Sequence, residues 1–290
     1  MKNNTSKITI AILYPGDMGF VIAKELIKND FRIVSVSEGR SELTKKNIKN
    51  AGIEDLPSIK ELAEVSDYIL SLNSPKSSIT IAKEVAESIA FTQKKAVFVD
   101  LNSNSPETAL EIEKMMIHSG TRFINGAVMG ASQDIPHSAV FVLSGKETQE
   151  FITLLSPIFK IKNAGDQTVS ASAYKLLFSM VNKGINALFF ETMIAAAHFG
   201  ILDELNESLM KYLPGTYEDL KKTTPTYPQH IKRRIDEMNG LSEMLQTENL
   251  PNGIALTAAQ IFEKIYNSGI FEDKTPKTVT ETFEYFKTIK

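Results

Sequence analysis

The chain has 290 residues, 42% hydrophobic and 23% charged, enough for two domains with real cores. Thirty-two basic residues against thirty-five acidic leave a net charge of −3, which argues against a basic nucleic-acid-binding surface over the whole protein. There is no cysteine, so a disulfide scaffold, a thiolate nucleophile and cysteine-ligated metal are excluded, and a reducing, cytoplasmic setting is expected. No apolar run approaches the roughly 20 residues needed to cross a bilayer. The polar start, residues 1–7, does not read as a signal peptide.

In chain order, residues 8–14 form a β-branched run ended by Pro15-Gly16. A helical spacing follows, with Val21, Ile22 and Leu26 on one side. Residues 31–36 read as a second strand, and Ser41 opens a helix that stops at Ala51-Gly52. Strands at 67–72, 96–100, 122–125 and 140–143 continue the series, with helices near 77–90 and 106–118 between them. Such alternation predicts parallel strands joined by crossover helices, hence a Rossmann-like doubly wound α/β domain over residues 1–164. From 169 to 199 there is no proline and one glycine, and apolar residues recur in steps of three and four. That is a helix of about 30 residues, roughly 45 Å long. Its apolar positions face more than one way, which predicts cover from other helices or a second subunit. Helical stretches at 203–212, 216–222, 228–246, 254–267 and 275–288 complete an all-α domain over 165–290.

Tyr14-Pro15-Gly16-Asp17-Met18-Gly19 lies between the first strand and the first helix. Overlaid on G-x-G-x-x-G, it keeps the second and third glycines and has Tyr14 at the first. The second glycine lets the backbone approach a pyrophosphate, the third allows tight helix–strand packing, and the helix N-terminus supplies amide donors. About twenty residues on, the second strand ends in Ser37-Glu38-Gly39-Arg40-Ser41. An acid there holds a ribose 2′-hydroxyl and favours NAD; an arginine accommodates the 2′-phosphate of NADP. Both are present. Arg40 with Ser41 reads as a phosphate clamp, so NADP(H) is favoured over NAD(H). Asn73 and Ser74 follow the 67–72 strand on the adenosine and diphosphate side. Asn102, Ser103 and Asn104 follow the 96–100 strand, Asn102 toward the cofactor and Ser103 toward the substrate. The four histidines show no ligand spacing, and no metal is assigned.

Four motifs in order carry a resemblance: Gly16-x-Met18-Gly19, Asp100-Leu-Asn-Ser-Asn-Ser-Pro106, Phe123-Ile-Asn-Gly-Ala-Val-Met-Gly130, and Lys175 on the long helix. Across about residues 8–200 the chain resembles the β-hydroxyacid dehydrogenases, which include 6-phosphogluconate and 3-hydroxyisobutyrate dehydrogenases. Its Tyr-Pro-Gly loop and Arg233-Arg234 segment look closer to a 6-phosphogluconate-dehydrogenase-like branch with its own C-terminal helical domain. The resemblance implies a Rossmann domain, a helical domain and a homodimer joined through the latter. It also implies that Lys175 takes the hydroxyl proton as hydride leaves a small hydroxy acid, and returns it in reverse. A lysine does this near neutrality where apolar surroundings lower its pKa, and Tyr174, Leu176, Leu177 and Phe178 supply such surroundings in the sequence. Glu191, on the same helix, matches a family glutamate and reads as structural or as a support behind the site.

Two departures stand out. Where the family has a serine that binds the substrate carboxylate, this chain has Met129, followed by Gly130 and Ala131; four residues past the lysine it has Ser179 for asparagine. Met129 donates no hydrogen bond, which leaves backbone amides and Ser132 to bind substrate there. Arg233 is the candidate for an anionic substrate group. Alternative readings are an imine reductase on this scaffold, disfavoured because those enzymes replace the lysine with aspartate or tyrosine, and a non-catalytic nucleotide-binding regulator. The partners expected are a small-molecule substrate and a second copy of the chain, with no nucleic acid and no membrane.

Overall fold

A computed structural model of the protein describes residues 7–289. The chain divides into two units, the first ending at Leu176 and the second beginning at Leu177. The division falls inside the long helix, whereas the composition changes ahead of it, at residue 165. The first turns of that helix belong with the α/β unit because Ala171 and Ser172 are buried there: the Ala171 amide donates to Ser144 Oγ at 2.9 Å, and Ser172 bonds Asn125.

The first unit is built on eight strands: β1 (Thr9–Leu13), β2 (Arg32–Ser35), β3 (Glu54–Asp55), β4 (Tyr68–Ser71), β5 (Val97–Asp100), β6 (Phe123–Met129), β7 (Val140–Ser144) and β8 (Lys160–Asn163). Their order is β3-β2-β1-β4-β5-β6-β7-β8. Helices α1 (Asp17–Lys28), α2 (Glu42–Ala51), α3 (Ile59–Val65), α4 (Pro75–Ala90), α5 (Pro106–His118) and α6 (Thr148–Leu155) connect them. β1 is buried along its whole length, and its residues alternate between two cores. Ile10 and Ile12 join Ile22 and Leu26 of α1 and Phe151 and Leu155 of α6. Ala11 and Leu13 join Leu62 of α3, Ile81 and Val85 of α4 and Ile112 of α5. A strand covered on both faces reads as a continuous apolar run, which is why 8–14 stood out in the sequence.

The strands are parallel except at one pair. β7 runs antiparallel to β6, and β8 is parallel to β7, so the sheet reverses direction where a uniformly parallel series was expected. Four elements carry no clear signal in the sequence: β3, β8, α3 and α6. β3 is two exposed acids, and β8 (Lys-Ile-Lys-Asn) is an edge strand with one half-buried residue, so neither shows apolar alternation.

The second unit is helical throughout. It holds most of α7 (Ser170–His198), then α8 (Leu202–Tyr212), α9 (Pro214–Thr223), α10 (Tyr227–Thr247), α11 (Gly253–Asn267) and α12 (Val279–Glu284). Pro214 and Pro228 sit in the first turns of α9 and α10, where the missing amide is harmless. Phe190 of α7 is the hub of its core. Its ring lies 4.8 Å from that of Tyr227, 5.3 Å from Phe286, 6.0 Å from Phe262 and 6.4 Å from Phe283. All five are fully buried, and the contacts with Phe190 are edge-on, the favoured geometry for aromatic pairs. No helix among the described residues is long and apolar enough to cross a membrane.

Because four elements converge on one ring, Phe190→Ala is expected to destabilise the helical unit by about 3–5 kcal/mol. Urea unfolding followed by circular dichroism measures it; a loss below about 1 kcal/mol would contradict this packing role.

Candidate functional site

β1 has β2 on one side and β4 on the other, so the topological switch point lies between the carboxyl ends of β1 and β4, where open α/β sheets hold ligands. The predicted phosphate loop is at this point. Gly16 is the N-cap of α1, and no side chain caps that terminus. A Cβ on Gly16 would meet nothing within 4 Å, so open space lies in front of this backbone. A Cβ on Gly19 would lie 3.1 Å from Pro15 Cβ and 3.3 Å from Ile12 Cγ2, so this glycine allows α1 to pack on β1. Pro15 is buried, Asp17 is exposed, and Met18 packs against the core. An uncapped helix start behind an open glycine fits a pyrophosphate.

Tyr14, at the first fingerprint position, has φ +53°, the left-handed region that a glycine enters freely. Its ring lies under Arg40, with the guanidinium carbon 3.5 Å from the ring centroid. Arg40 Nη2 donates to the Tyr14 hydroxyl at 2.6 Å, and that hydroxyl donates to Glu84 of α4 at 3.2 Å. Glu84 also stands 3.5 Å from Nη2. Burial first, and then the Glu84 carboxylate, hold the phenol's pKa well above its ordinary value, while Arg40 opposes them. Gly39, at φ +69°, turns the chain into this corner, and Ser41 caps α2 by accepting from the Thr44 amide at 3.2 Å. Glu38 is exposed. Asn47 of α2 donates to the Pro15 carbonyl at 3.0 Å, tying the corner to the phosphate loop. The sequence pointed to Arg40 but gave no hint of Glu84, which is 44 residues away.

Asn73 and Asn102 meet over a buried carboxylate. Asp100, at the end of β5, accepts from the Asn102 amide at 3.0 Å, from Asn102 Nδ2 at 2.6 Å and from Asn104 Nδ2 at 2.8 Å. Asn102 also donates to Ser71 Oγ at 3.0 Å, and its Oδ1 accepts from the Asn73 amide. Asn104 Oδ1 accepts from Ser78 of α4 at 3.0 Å. No cation joins this cluster among the described residues. Burial pushes the Asp100 carboxyl up to about 6, against three hydrogen bonds that pull it down. Ser103 is exposed between the two buried asparagines, and Ser74 is exposed at the start of α4.

Lys175 extends from α7 to the carboxyl end of β6, where Nζ donates to the Val128 carbonyl at 2.6 Å. Asp100 pairs with Asn125, so Val128 lies three residues, about 10 Å, beyond the end of β5. The amine therefore sits out past the end of β5, on the same sheet edge as the asparagine loops. Met129, the residue after Val128, is half-buried. Gly130 has φ +132°, and the Ala131 amide is taken up by Asp134 Oδ2 at 2.8 Å.

Ser179 and Arg233 belong to the helical unit. Arg233 is exposed (63%) and paired with Glu237, which also holds Lys183 at 2.8 Å. The more enclosed arginine is its half-buried neighbour. Arg234 stacks on the Tyr227 ring at 3.6 Å and donates to Thr226 Oγ1 at 2.6 Å; its Nη1 has no acceptor among the described residues. Burial and Arg233 lower the Arg234 pKa, with Tyr227 and Glu237 opposing.

Residues 9–171, over half the chain, match the family model described as the NAD binding domain of 6-phosphogluconate dehydrogenase. The chain belongs to this family. As in other members of this dehydrogenase family, its first unit is an NAD(P)-binding domain. Residues 196–265 match a domain of unknown function, DUF1932, so the C-terminal part has its own character. A conserved hypothetical protein from Sinorhizobium meliloti shares the fold with TM-score 0.80 at 21% identity, over 98% of this chain and 97% of that one. The Mycobacterium tuberculosis 3-hydroxyisobutyrate dehydrogenase solved with L-serine gives TM-score 0.73 at 15% identity, over 97% and 100%. In sequence, glyoxylate/succinic semialdehyde reductase 1 of Arabidopsis thaliana is 21% identical over 90% of this chain and 93% of its own.

The Asp100 cluster makes a pH prediction. An unfolded aspartate titrates near 3.8, so between there and about 6 the folded state binds the extra proton. The stability Asp100 contributes then falls as pH rises through that window, by up to about 1.4 kcal/mol per pH unit, and is flat above it. Relative to wild type, Asp100→Asn is expected to gain stability from pH 4 to pH 6 and no further. Urea midpoints across that range check it; parallel pH profiles would refute it.

Proposed function

We propose that the protein is an NADP(H)-dependent oxidoreductase that interconverts a small hydroxy acid and its carbonyl counterpart, with Lys175 as general acid–base. The observation that carries this reading is the position of Lys175, whose amine is fixed by the Val128 carbonyl at 2.6 Å on the edge where the predicted cofactor loops converge. Gly16, Gly19 and the start of α1 hold the pyrophosphate, with Pro15, Asp17 and Met18 shaping that loop. Arg40 and Ser41 take the 2′-phosphate, and Asn73, Ser74 and Asn102 line the path toward the reacting end. When bound, NADP+ supplies the hydride acceptor. Neutral Lys175 removes the hydroxyl proton as the carbinol C–H bond breaks, and in the reverse direction it returns that proton to the carbonyl oxygen. Ser103 and Gly130 border the substrate. Met129 has no donor and the Ala131 amide is occupied, so the substrate carboxylate is held differently from the serine turn of the resembled dehydrogenases.

Glyoxylate, succinic semialdehyde and 3-hydroxyisobutyrate are the first compounds to assay. With whichever turns over, Lys175→Ala is expected to lower kcat by 10²–10⁴ while leaving NADPH affinity within about twofold. A wild-type rate in that variant would overturn the lysine mechanism.

We also place the protein as a homodimer joined through its helical unit. Phe178, Val181 and Leu188 of α7 are 56%, 59% and 60% exposed, an apolar surface that a second copy would cover. Light scattering at micromolar concentration is expected to give twice the chain mass; a monomeric mass would refute the dimer.

A further inference from the structure

We propose that Tyr14 is a specificity-determining positioning residue, which sets the preference for NADP(H) by holding the Arg40 guanidinium in one fixed plane at the β2–α2 corner. The inference rests on the NADP reading above and assigns part of that preference to a residue outside the usual phosphate clamp.

Three observations support it. Tyr14 occupies a backbone position, φ +53°, where glycine is at ease and a side chain is strained. A tyrosine kept there needs an offsetting interaction. The stack on Arg40 at 3.5 Å, with the 2.6 Å hydrogen bond at its edge, is such an interaction. Second, the contacts are directional. Nη2 is turned inward to the Tyr14 hydroxyl and Glu84, while about a third of the arginine side chain (32%) stays exposed. Arg40 Nη1 makes no hydrogen bond to the protein among the described residues, so a donor edge remains for a ligand. Third, the tyrosine hydroxyl lies between the two charges, accepting from Arg40 and donating to Glu84. The acid thus steadies the ring from α4.

These contacts match a phosphate monoester better than a ribose diol. A free arginine loses rotamer freedom when it closes on a phosphate, whereas one already stacked and bonded has lost it before the ligand arrives. A ribose lacking the phosphate has no charge for the guanidinium to meet and gains nothing from the arrangement.

The test is the ratio of NADPH to NADH affinity, read by nicotinamide fluorescence in the wild type, Tyr14→Gly, Tyr14→Phe, Arg40→Ala and the double variant Tyr14→Gly/Arg40→Ala. Glycine suits the backbone angle and removes the stack; phenylalanine keeps the ring and removes the hydroxyl. Tyr14→Gly is expected to lower the ratio about tenfold, the size of one partly exposed cation–π contact, and Tyr14→Phe about threefold. The double variant should fall no further than Arg40→Ala, because the tyrosine acts through the arginine. If Tyr14→Gly does not fold, by circular dichroism, the phenylalanine variant carries the same test. A ratio unchanged in both Tyr14 variants but lowered in Arg40→Ala overturns the role of Tyr14 and leaves the NADP reading standing. So does a double variant whose loss is the product of the single losses. A wild type without NADPH preference, unaffected by Arg40→Ala, overturns both.

Discussion

A buried carboxylate that no cation among the described residues joins is the constraint on which the crevice depends. Asp100 is costly to charge inside the protein, and the loops after β4 and β5 are arranged to meet its needs. Asn102 gives it two donors and Asn104 a third, and each asparagine then bonds a further element through its remaining amide atoms. The Asn73 backbone is held in turn by Asn102. The loops after β4 and β5 and the first turn of α4 therefore have fixed positions because one acid must be satisfied. Mutual dependence of this kind favours a single arrangement of the polar groups, since one left unmatched in a low dielectric is heavily penalised.

The positive charges follow a different logic. Each unit contains an arginine lying flat on a tyrosine: Arg40 on Tyr14 at 3.5 Å and Arg234 on Tyr227 at 3.6 Å. In both pairs one guanidinium nitrogen is buried without an acceptor among the described residues, so the aromatic face does part of what a carboxylate would otherwise do. The pairs differ in surroundings. Tyr227 is one of the rings packed around Phe190, and its arginine helps seal a core. Tyr14 lies beside an open glycine loop, and its arginine keeps about a third of its side chain (32%) exposed.

The strands that were legible in the sequence are those covered on both faces, because their apolar runs are unbroken. β3 and β8 were not, since an edge strand of acids or lysines looks like a loop. The reversal at β7 was also hidden, because strand direction is set by connections and leaves no mark in a short apolar run. Within the site, the glycines and Lys175 were legible from spacing and resemblance. Tyr14 was visible only as a misfit in the fingerprint, since its partners are 26 and 70 residues away. For the arginine pair a signal did exist. Tyr227, Ile231, Arg234, Ile235 and Met238 recur in steps of three and four, which puts Arg234 on the inner face and Arg233 outside it.

The reversed strand also explains why the residue opposite Val128 has to be long. Since β8 runs back against β6, its end at Asn163 is level with Gly126, and α7 then sets off in the same direction as β6. Ser172 meets Asn125 at the start, and Lys175 meets Val128 three residues later on both elements. A strand advances about 3.3 Å per residue and a helix only 1.5 Å, so over those three steps the helix falls behind by about 5 Å. The four-carbon side chain of Lys175 makes up that distance. Serine, aspartate or asparagine at the same place would stop short of the strand's end. The mismatch in pitch between two regular structures thus selects the length of the side chain at this position, before any chemistry is asked of it.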